Sequence, residues 1–120
     1  MNLKECYTAL DGDFKDVSQR LFSEALVKKF VLKFLDDKSF SSLCKSMEAS
    51  DYAQAFIAAH TLKGVCQNLS FTRLYKSANL LTEELRNGTP DVAYATELLA
   101  AVTADYQVTV NAIHQFQAEA

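Results

Sequence analysis

The feature of this sequence that most constrains its fold is the scarcity of residues that interrupt helices. Three glycines and one proline occur in 120 residues, while alanine, leucine and other residues of high helix propensity are common. Between residues 26 and 35, apolar side chains recur every three or four positions, which is the spacing of one helix face. No stretch alternates apolar and polar residues over the length of a strand. The chain is therefore predicted to be all-α.

Turn-forming residues divide this helical chain into segments. Asp11-Gly12-Asp13, Ser50-Asp51 and Thr89-Pro90 combine residues that favour turns and helix starts. Ser39 and Thr72 are predicted N-caps, because a hydroxyl can accept a hydrogen bond from a backbone N–H of the first turn. The predicted helices occupy residues 3–10, 14–21, 24–36, 40–47, 51–70 and 73–87, and a last one from Pro90 to 117.

The connections between the long helices are short, which favours antiparallel packing of neighbours. We therefore expect an up-down four-helix bundle core, with the short extra N-terminal helices covering one end. A chain of 120 residues is long enough to bury its own core and fits a single domain over residues 1–120.

Charge and cysteine usage argue against several classes of protein. The formal net charge is −3, so the chain lacks the basic surface of a nucleic-acid-binding domain. No run approaches the ~20 apolar residues of a membrane-spanning helix, and charges interrupt the N-terminal segment where a signal peptide would be apolar. The three cysteines have no metal-ligand spacing, and free thiols are typical of a reducing compartment. We expect a cytoplasmic protein that contacts neither nucleic acid nor membrane.

The helix predicted at 51–70 carries one histidine, His60, on an unusual face. Each helical residue rotates by roughly 100°, which places Phe56, Lys63, Gly64 and Gln67 within roughly 60° of His60. The apolar positions of this helix lie on the far side: Ala55, Ala58, Leu62, Val65, Cys66 and Leu69. His60 is therefore expected to face solvent, with a cation one turn away.

A solvent-facing imidazole can serve as a general base, a metal ligand or a nucleophile, or it can have no function. A metal site needs three or four ligands, but the second histidine, His114, lies on another helix. A hydrolytic triad needs a cleft, which the convex face of a bundle does not offer. A nucleophile towards phosphorus fits better, because imidazole is mostly neutral near pH 7 and Lys63 would neutralise a phosphoryl group.

Gly64 lies in the middle of the same helix, where glycine costs roughly 0.5–1 kcal/mol relative to alanine. One interpretation is that the missing side chain lets a partner protein approach His60 closely. The alternatives are that glycine is merely tolerated there, or that it lets a neighbouring helix come near. Because Gly64 shares the outward face of His60, we favour the first.

These residues resemble the motif of the histidine-containing phosphotransfer (HPt) domain. The resemblance rests on HTLKG at residues 60–64, on Asn68-Leu69 and on Phe71-Thr72-Arg73-Leu74. Further segments follow the order and spacing of that family: GDF from Gly12, VKKFVLKFLDD from Val27, FSSLCKSMEASDY from Phe40 and the helix at 81–85. The family commonly has glycine after Asn-Leu, whereas this chain has Ser70, which leaves the local loop geometry to be determined.

The resemblance implies a phosphocarrier in a two-component phosphorelay. In that role His60 accepts a phosphoryl group from the aspartate of a receiver domain and passes it to another receiver. Lys63 neutralises charge, and Gly64 permits close approach. Response-regulator receivers and a hybrid histidine kinase are the expected partners of a monomer that is not itself an enzyme. No cofactor is expected, because Mg²⁺ would belong to the receiver and the sequence has no Gly-rich phosphate loop. The alternative is a helical adaptor that binds receivers without carrying phosphate.

The remaining candidates surround His60. The predicted docking surface comprises Phe56, Ile57, Gln67, Asn68, Ser70 and Phe71, of which the large apolar members would be expensive to leave in water. Some of them are alternatively covered by the N-terminal segment, which supplies Tyr7 and Phe14. An antiparallel hairpin centred near Phe71 places Thr82 and Arg86 level with His60, either as contacts of the phosphoryl group or as ordinary surface.

Overall fold

Helices account for most of the computed structural model, which describes residues 1–119. Residues 1–119 form seven α-helices and one 3₁₀ turn at Phe34–Asp36. The α-helices are α1 (Leu3–Ala9), α2 (Phe14–Leu21), α3 (Glu24–Lys33), α4 (Ser39–Glu48), α5 (Tyr52–Leu69), α6 (Thr72–Leu85) and α7 (Val92–Glu119). No strand occurs in residues 1–119, and the all-α prediction is confirmed. Within this range no helix is both long enough and apolar enough to cross a membrane.

The helices α4 to α7 form an up-down bundle. Consecutive helices pack against each other along this part of the chain, and α7 also contacts α4, where the Tyr106 and Phe40 rings stack with centroids 4.0 Å apart. An ion pair between Arg73 Nε of α6 and Asp105 Oδ1 of α7, at 2.7 Å, joins neighbouring helices on the surface. The predicted four-helix bundle core is confirmed.

The N-terminal helices cover the end of the bundle at which α5 turns into α6. The Tyr7 hydroxyl donates a hydrogen bond to the Leu69 carbonyl at 2.7 Å, and the Asp13 N–H donates to the Ser70 carbonyl at 2.8 Å. On the adjacent side, the buried Cys6 thiol of α1 donates to the Ala112 carbonyl of α7 at 3.6 Å. These contacts confirm that the short helices cap one end.

Phe71 is buried, contrary to the prediction that it is exposed on the docking surface. Its side chain is fully buried, with the Tyr7 ring centroid 5.6 Å away and the Phe34 ring meeting it edge-on at 5.2 Å. The helical wheel failed here because α5 ends at Leu69, and the left-handed Ser70 turns the chain inward. The alternative, that the N-terminal segment covers some of these aromatic residues, holds for Phe71.

Three helix starts differ from the predicted ones. Ser39 and Thr72 are each the first helical residue of their helix rather than its N-cap, and Asp37 Oδ1 accepts from the Ser39 N–H at 2.9 Å. Pro90 precedes α7 instead of beginning it, because Asp91 Oδ1 accepts from the Tyr94 N–H at 3.1 Å. In two of the three cases a nearby aspartate accepts a hydrogen bond from a backbone N–H of the first turn, since a carboxylate is a good acceptor at a helix start.

Candidate functional site

His60 lies near the middle of α5 with its side chain exposed. Asp51 caps the start of the helix, and its Oδ1 accepts from the Gln54 N–H at 3.1 Å. Its opposite face is buried in the core at Ala55, Ala58, Ala59, Leu62, Cys66 and Leu69. The sequence pattern thus orients this face of α5 correctly, and the imidazole is held outward by a helix whose other side is fixed in the core.

The His60 ring packs against the Phe56 ring, one turn earlier on α5. Their centroids are 5.8 Å apart and their planes differ by 16°. Phe56 is half-buried, and its ring also has the Arg86 guanidinium carbon 5.3 Å from its centroid. One aromatic ring therefore contacts both the histidine of α5 and a cation of α6, which places Arg86 beside the site.

Lys63 approaches α6 and meets a carboxylate. Its Nζ lies 4.0 Å from Glu83 Oε1, and 18% of its side chain is exposed. Its ammonium group already has an anionic neighbour, Glu83, which the sequence analysis did not identify.

Glu83 also binds Arg86. Arg86 Nε donates to Glu83 Oε2 at 3.0 Å, and Arg86 Nη2 donates to Glu83 Oε1 at 2.7 Å. Hydrogen bonding by Arg86 is the main reason that the pKa of Glu83 lies below its ordinary value, and the positive charges of Arg86 and Lys63 add to this lowering. Glu83 is therefore an ionised carboxylate shared by the two cations of the site.

Thr82 was a candidate contact of the phosphoryl group, and the structure contradicts this. Its side chain is fully buried, and its hydroxyl donates to the Ala78 carbonyl at 2.7 Å. Thr82 follows the buried Ala78 by four residues and precedes the buried Leu85 by three, so it lies on the core-facing stripe of α6. That spacing was the signal in the sequence that would have assigned it to the core.

Gly64 is part-exposed and has open space beside it. A methyl group placed on its Cα would have no heavy atom of the described residues within 4 Å, apart from its own helix backbone and chain neighbours. The interpretation that glycine admits a neighbouring helix is therefore wrong. Ile57, Gln67 and Asn68 are also exposed, so this face of α5 is available on both sides of Gly64.

Ser70 has a structural role at the end of α5 and is not part of the exposed face. It is 6% exposed and adopts the left-handed conformation with φ of 56°, which glycine adopts with less strain. Its hydroxyl donates to Asp16 Oδ2 at 2.6 Å and accepts from Arg20 Nη1 at 3.1 Å. Serine therefore keeps the turn that glycine would form and ties it to α2. Contrary to the prediction that Ser70 is part of the docking surface, its side chain is buried and engaged within the protein.

Arg20 of α2 fixes the last turn of α5 as well. Its Nη1 donates to the carbonyls of Gln67 at 2.8 Å and Asn68 at 3.0 Å, which are among the carbonyls that a helix end leaves without partners. An apolar groove of about 570 Å³ lies next to this clamp, between α3 and α5, with Phe30 and Val65 among its lining residues. The Arg20 side chain thus covers carbonyls at the C-terminal end of α5 that would otherwise lack a partner.

Other nucleophilic and metal-binding groups are dispersed. His114 is exposed on α7, and no three His, Cys, Asp or Glu side chains of residues 1–119 converge as metal ligands would. All three cysteines are free thiols, and burial raises the pKa of the Cys6 thiol to about 11.

Comparison with known proteins gave one match. The family model described as the Hpt domain matches residues 26–115, a range that begins in α3, ends in α7 and includes His60, Lys63 and Gly64. Neither the curated proteins nor the solved structures that were compared gave a match. The first two helices, α1 and α2, lie outside the matched range.

Proposed function

The chain belongs to the Hpt domain family, and we propose that it is a phosphocarrier whose phosphorylated residue is His60. Membership of the family implies a phosphotransfer role in two-component signalling. The observation that carries the assignment to His60 is its exposed imidazole on the outward face of α5, with Lys63 and Arg86 beside it and open space at Gly64. His114 is also exposed, but it lies outside the HTLKG segment.

The proposed reaction is a displacement at phosphorus. A nitrogen lone pair of the neutral His60 ring forms a bond to the phosphorus of an aspartyl phosphate on a receiver domain. The bond between phosphorus and the aspartate oxygen breaks, the carboxylate leaves with the electron pair, and the ring proton passes to solvent. A second receiver reverses the step, with its aspartate attacking the phosphohistidine. In both steps Mg²⁺ would be supplied by the receiver and would offset charge on the phosphoryl oxygens.

Lys63 and Arg86 provide the positive charge that a phosphorylated His60 requires. A phosphoryl group on a side chain carries about two negative charges at pH 7. Charge-assisted hydrogen bonds to such a group contribute about 1.5–3 kcal/mol, and less where water has access. In this proposal, Lys63 stabilises the phosphoryl group directly, while Arg86 approaches across the Phe56 ring.

The exposed face around Gly64 is the proposed docking surface for receivers. A receiver must bring its aspartate to within bonding distance of His60, and a side chain at position 64 would stand in its way. Ile57, Gln67 and Asn68, together with Phe56, form the rim of the contact. A hybrid histidine kinase would dock through its own receiver at the same surface.

We further propose that the carrier is a monomer in the cytoplasm, where its free thiols would stay reduced. His60 receives its phosphoryl group only from a partner protein, so the chain needs no ATP site of its own. A helical adaptor that binds receivers without carrying phosphate would use the same surface, and a labelling experiment distinguishes it from a carrier.

The experiment incubates the protein with phosphorylated receiver domains and follows the label. A carrier acquires a label that is stable in base and lost in acid, as expected of a phosphohistidine. His60→Gln should abolish labelling, whereas the matched variant His114→Gln should label as the wild type does. The carrier assignment fails if the wild type stays unlabelled with every receiver of its organism, and the site assignment fails if His60→Gln is labelled normally.

A further inference from the structure

Glu83 has no role in the transfer as described, although it contacts both cations of the site. It lies 4.0 Å from Lys63 Nζ and accepts two hydrogen bonds from Arg86. Arg86 in turn lies over the Phe56 ring, which packs against His60. In the unmodified protein, this carboxylate occupies the position of the anion that the two cations would otherwise lack.

A phosphoryl group on His60 would compete with Glu83 for the same partners. It adds about two negative charges where Lys63 and Arg86 supply two positive charges and Glu83 already supplies a negative one. Half of the Glu83 side chain is exposed, so it can move into solvent without breaking core packing. Two positive charges cannot neutralise three negative ones, so the phosphoryl group and Glu83 compete for Lys63 and Arg86.

We propose that Glu83 is a positioning residue that holds Lys63 and Arg86 in place while His60 is unmodified and is displaced from them when His60 is phosphorylated. The inference rests on the proposed function in assigning the phosphoryl group to His60. Its consequence is that Glu83 disfavours the phosphorylated state. A carrier that must pass its phosphoryl group on gains from such a competitor, since the group is held less tightly.

The first test uses phosphoramidate, a small anionic phosphoryl donor that needs no protein partner. An imidazole nitrogen of His60 forms the new bond to phosphorus, the donor's P–N bond breaks, and ammonia leaves as ammonium with the ring proton. Glu83→Gln removes the competing charge and keeps the size of the side chain. We expect it to raise the rate of His60 phosphorylation, followed by ³¹P NMR at pH 7, by about two- to fivefold.

Three controls make the result specific. His114 in the same sample should be phosphorylated at an unchanged rate, and Glu48→Gln, which removes an exposed carboxylate at the end of α4, should leave the His60 rate unchanged. Glu83→Asp, which keeps the charge, should stay close to the wild type. An equal acceleration at both histidines, an unchanged rate or a slower rate at His60 in Glu83→Gln would each overturn the proposal.

A second measurement detects the displacement itself. On phosphorylation of the wild type, the Nε–H resonance of Arg86 should move, because its acceptor on Glu83 is lost. The Nε–H resonance of Arg73, which donates to Asp105, should stay in place. An unmoved Arg86 resonance in fully phosphorylated protein would show that Glu83 keeps its partner.

The receiver experiment separates this proposal from the proposed function. With a receiver that labels the wild type, Glu83→Gln should raise the equilibrium ratio of phosphorylated His60 to phosphorylated receiver by about two- to fivefold. An unchanged ratio rejects the role of Glu83 and leaves the carrier function standing. If no receiver labels the wild type, the carrier function fails, and the phosphoramidate rates still decide whether Glu83 competes with the phosphoryl group.

Discussion

Replacing Gly64 with alanine should stabilise the protein and slow phosphotransfer in the same variant. The added methyl group meets no heavy atom of the described residues within 4 Å beyond its own helix and chain neighbours, so no repacking offsets the gain in helix propensity. That gain is about 0.5–1 kcal/mol at a mid-helix position, which raises the melting temperature of a domain of this size by about 2–5 °C. Thermal unfolding followed by circular dichroism measures it.

Gly88→Ala is the matched control, because a methyl group there also meets open space. Gly88 has φ of +73°, which alanine adopts only with strain. We expect Gly88→Ala to lower the free energy of unfolding by about 1 kcal/mol. The two glycines thus have opposite predicted effects on stability, and the backbone dihedral alone distinguishes them.

The transfer rate tests why glycine is present at position 64. Gly64→Gln keeps helix propensity and places a long side chain beside His60, so transfer from a phosphorylated receiver should slow by about 10–100-fold. Phosphoramidate is small, and its reaction with His60 should change much less. If Gly64→Ala is destabilised, the space beside it is occupied. If both variants transfer at the wild-type rate, then close approach of a partner is not the reason for glycine.

Three further predictions concern the end of the bundle that α1 and α2 cover. Phe71→Ala should lower the free energy of unfolding by about 3–5 kcal/mol in urea, since the ring is fully buried; a loss below 1 kcal/mol would contradict its burial. Ser70→Ala should destabilise by about 1–2 kcal/mol, and Ser70→Gly by less, because glycine relieves the left-handed strain; the reverse order would refute the account of this turn. The hydrogen bond from Ser70, followed by the charge and hydrogen bonds of Arg20, lowers the pKa of Asp16 below its ordinary value of 3.8. Its stabilising contribution is therefore complete above that value and is lost as pH falls through the lower pKa of the folded state. Asp16→Asn should flatten this acid-side loss of unfolding free energy, and an unchanged pH profile would contradict the prediction.

Periodicity predicted the helices and the outward face of His60, because both depend on spacing within one helix. Burial of Phe71 depends instead on Tyr7 and Phe34, which lie far away in the sequence. A helical wheel of α5 alone therefore cannot predict that Phe71 is buried. Thr82 was misplaced for a different reason. Its polar hydroxyl concealed a core position, although its spacing from the buried apolar residues of α6 was correct for the core.

Glu83 was missed because its importance arises from the register between two helices. Its spacing of three residues from Arg86 is visible in the sequence and favours an ion pair on one helix. Its approach to Lys63 requires α5 and α6 to be aligned, and the hairpin estimate placed Thr82 in that position. The displacement was one residue, which on a helix turns a solvent-facing side chain into a buried one.

The contacts of the N-terminal helices also determine the order in which parts of a nascent chain can assemble. The Tyr7 hydroxyl donates to the Leu69 carbonyl and the Cys6 thiol to the Ala112 carbonyl, so α1 can bind these partners only after the later segments that contain them have been made. At about 5–20 residues per second, synthesis leaves the apolar face of α1 without its α7 partner for roughly 5–20 s. Because α7 is also the last helix of the four-helix core, both that core and the contact of α1 with α7 can form only after this interval.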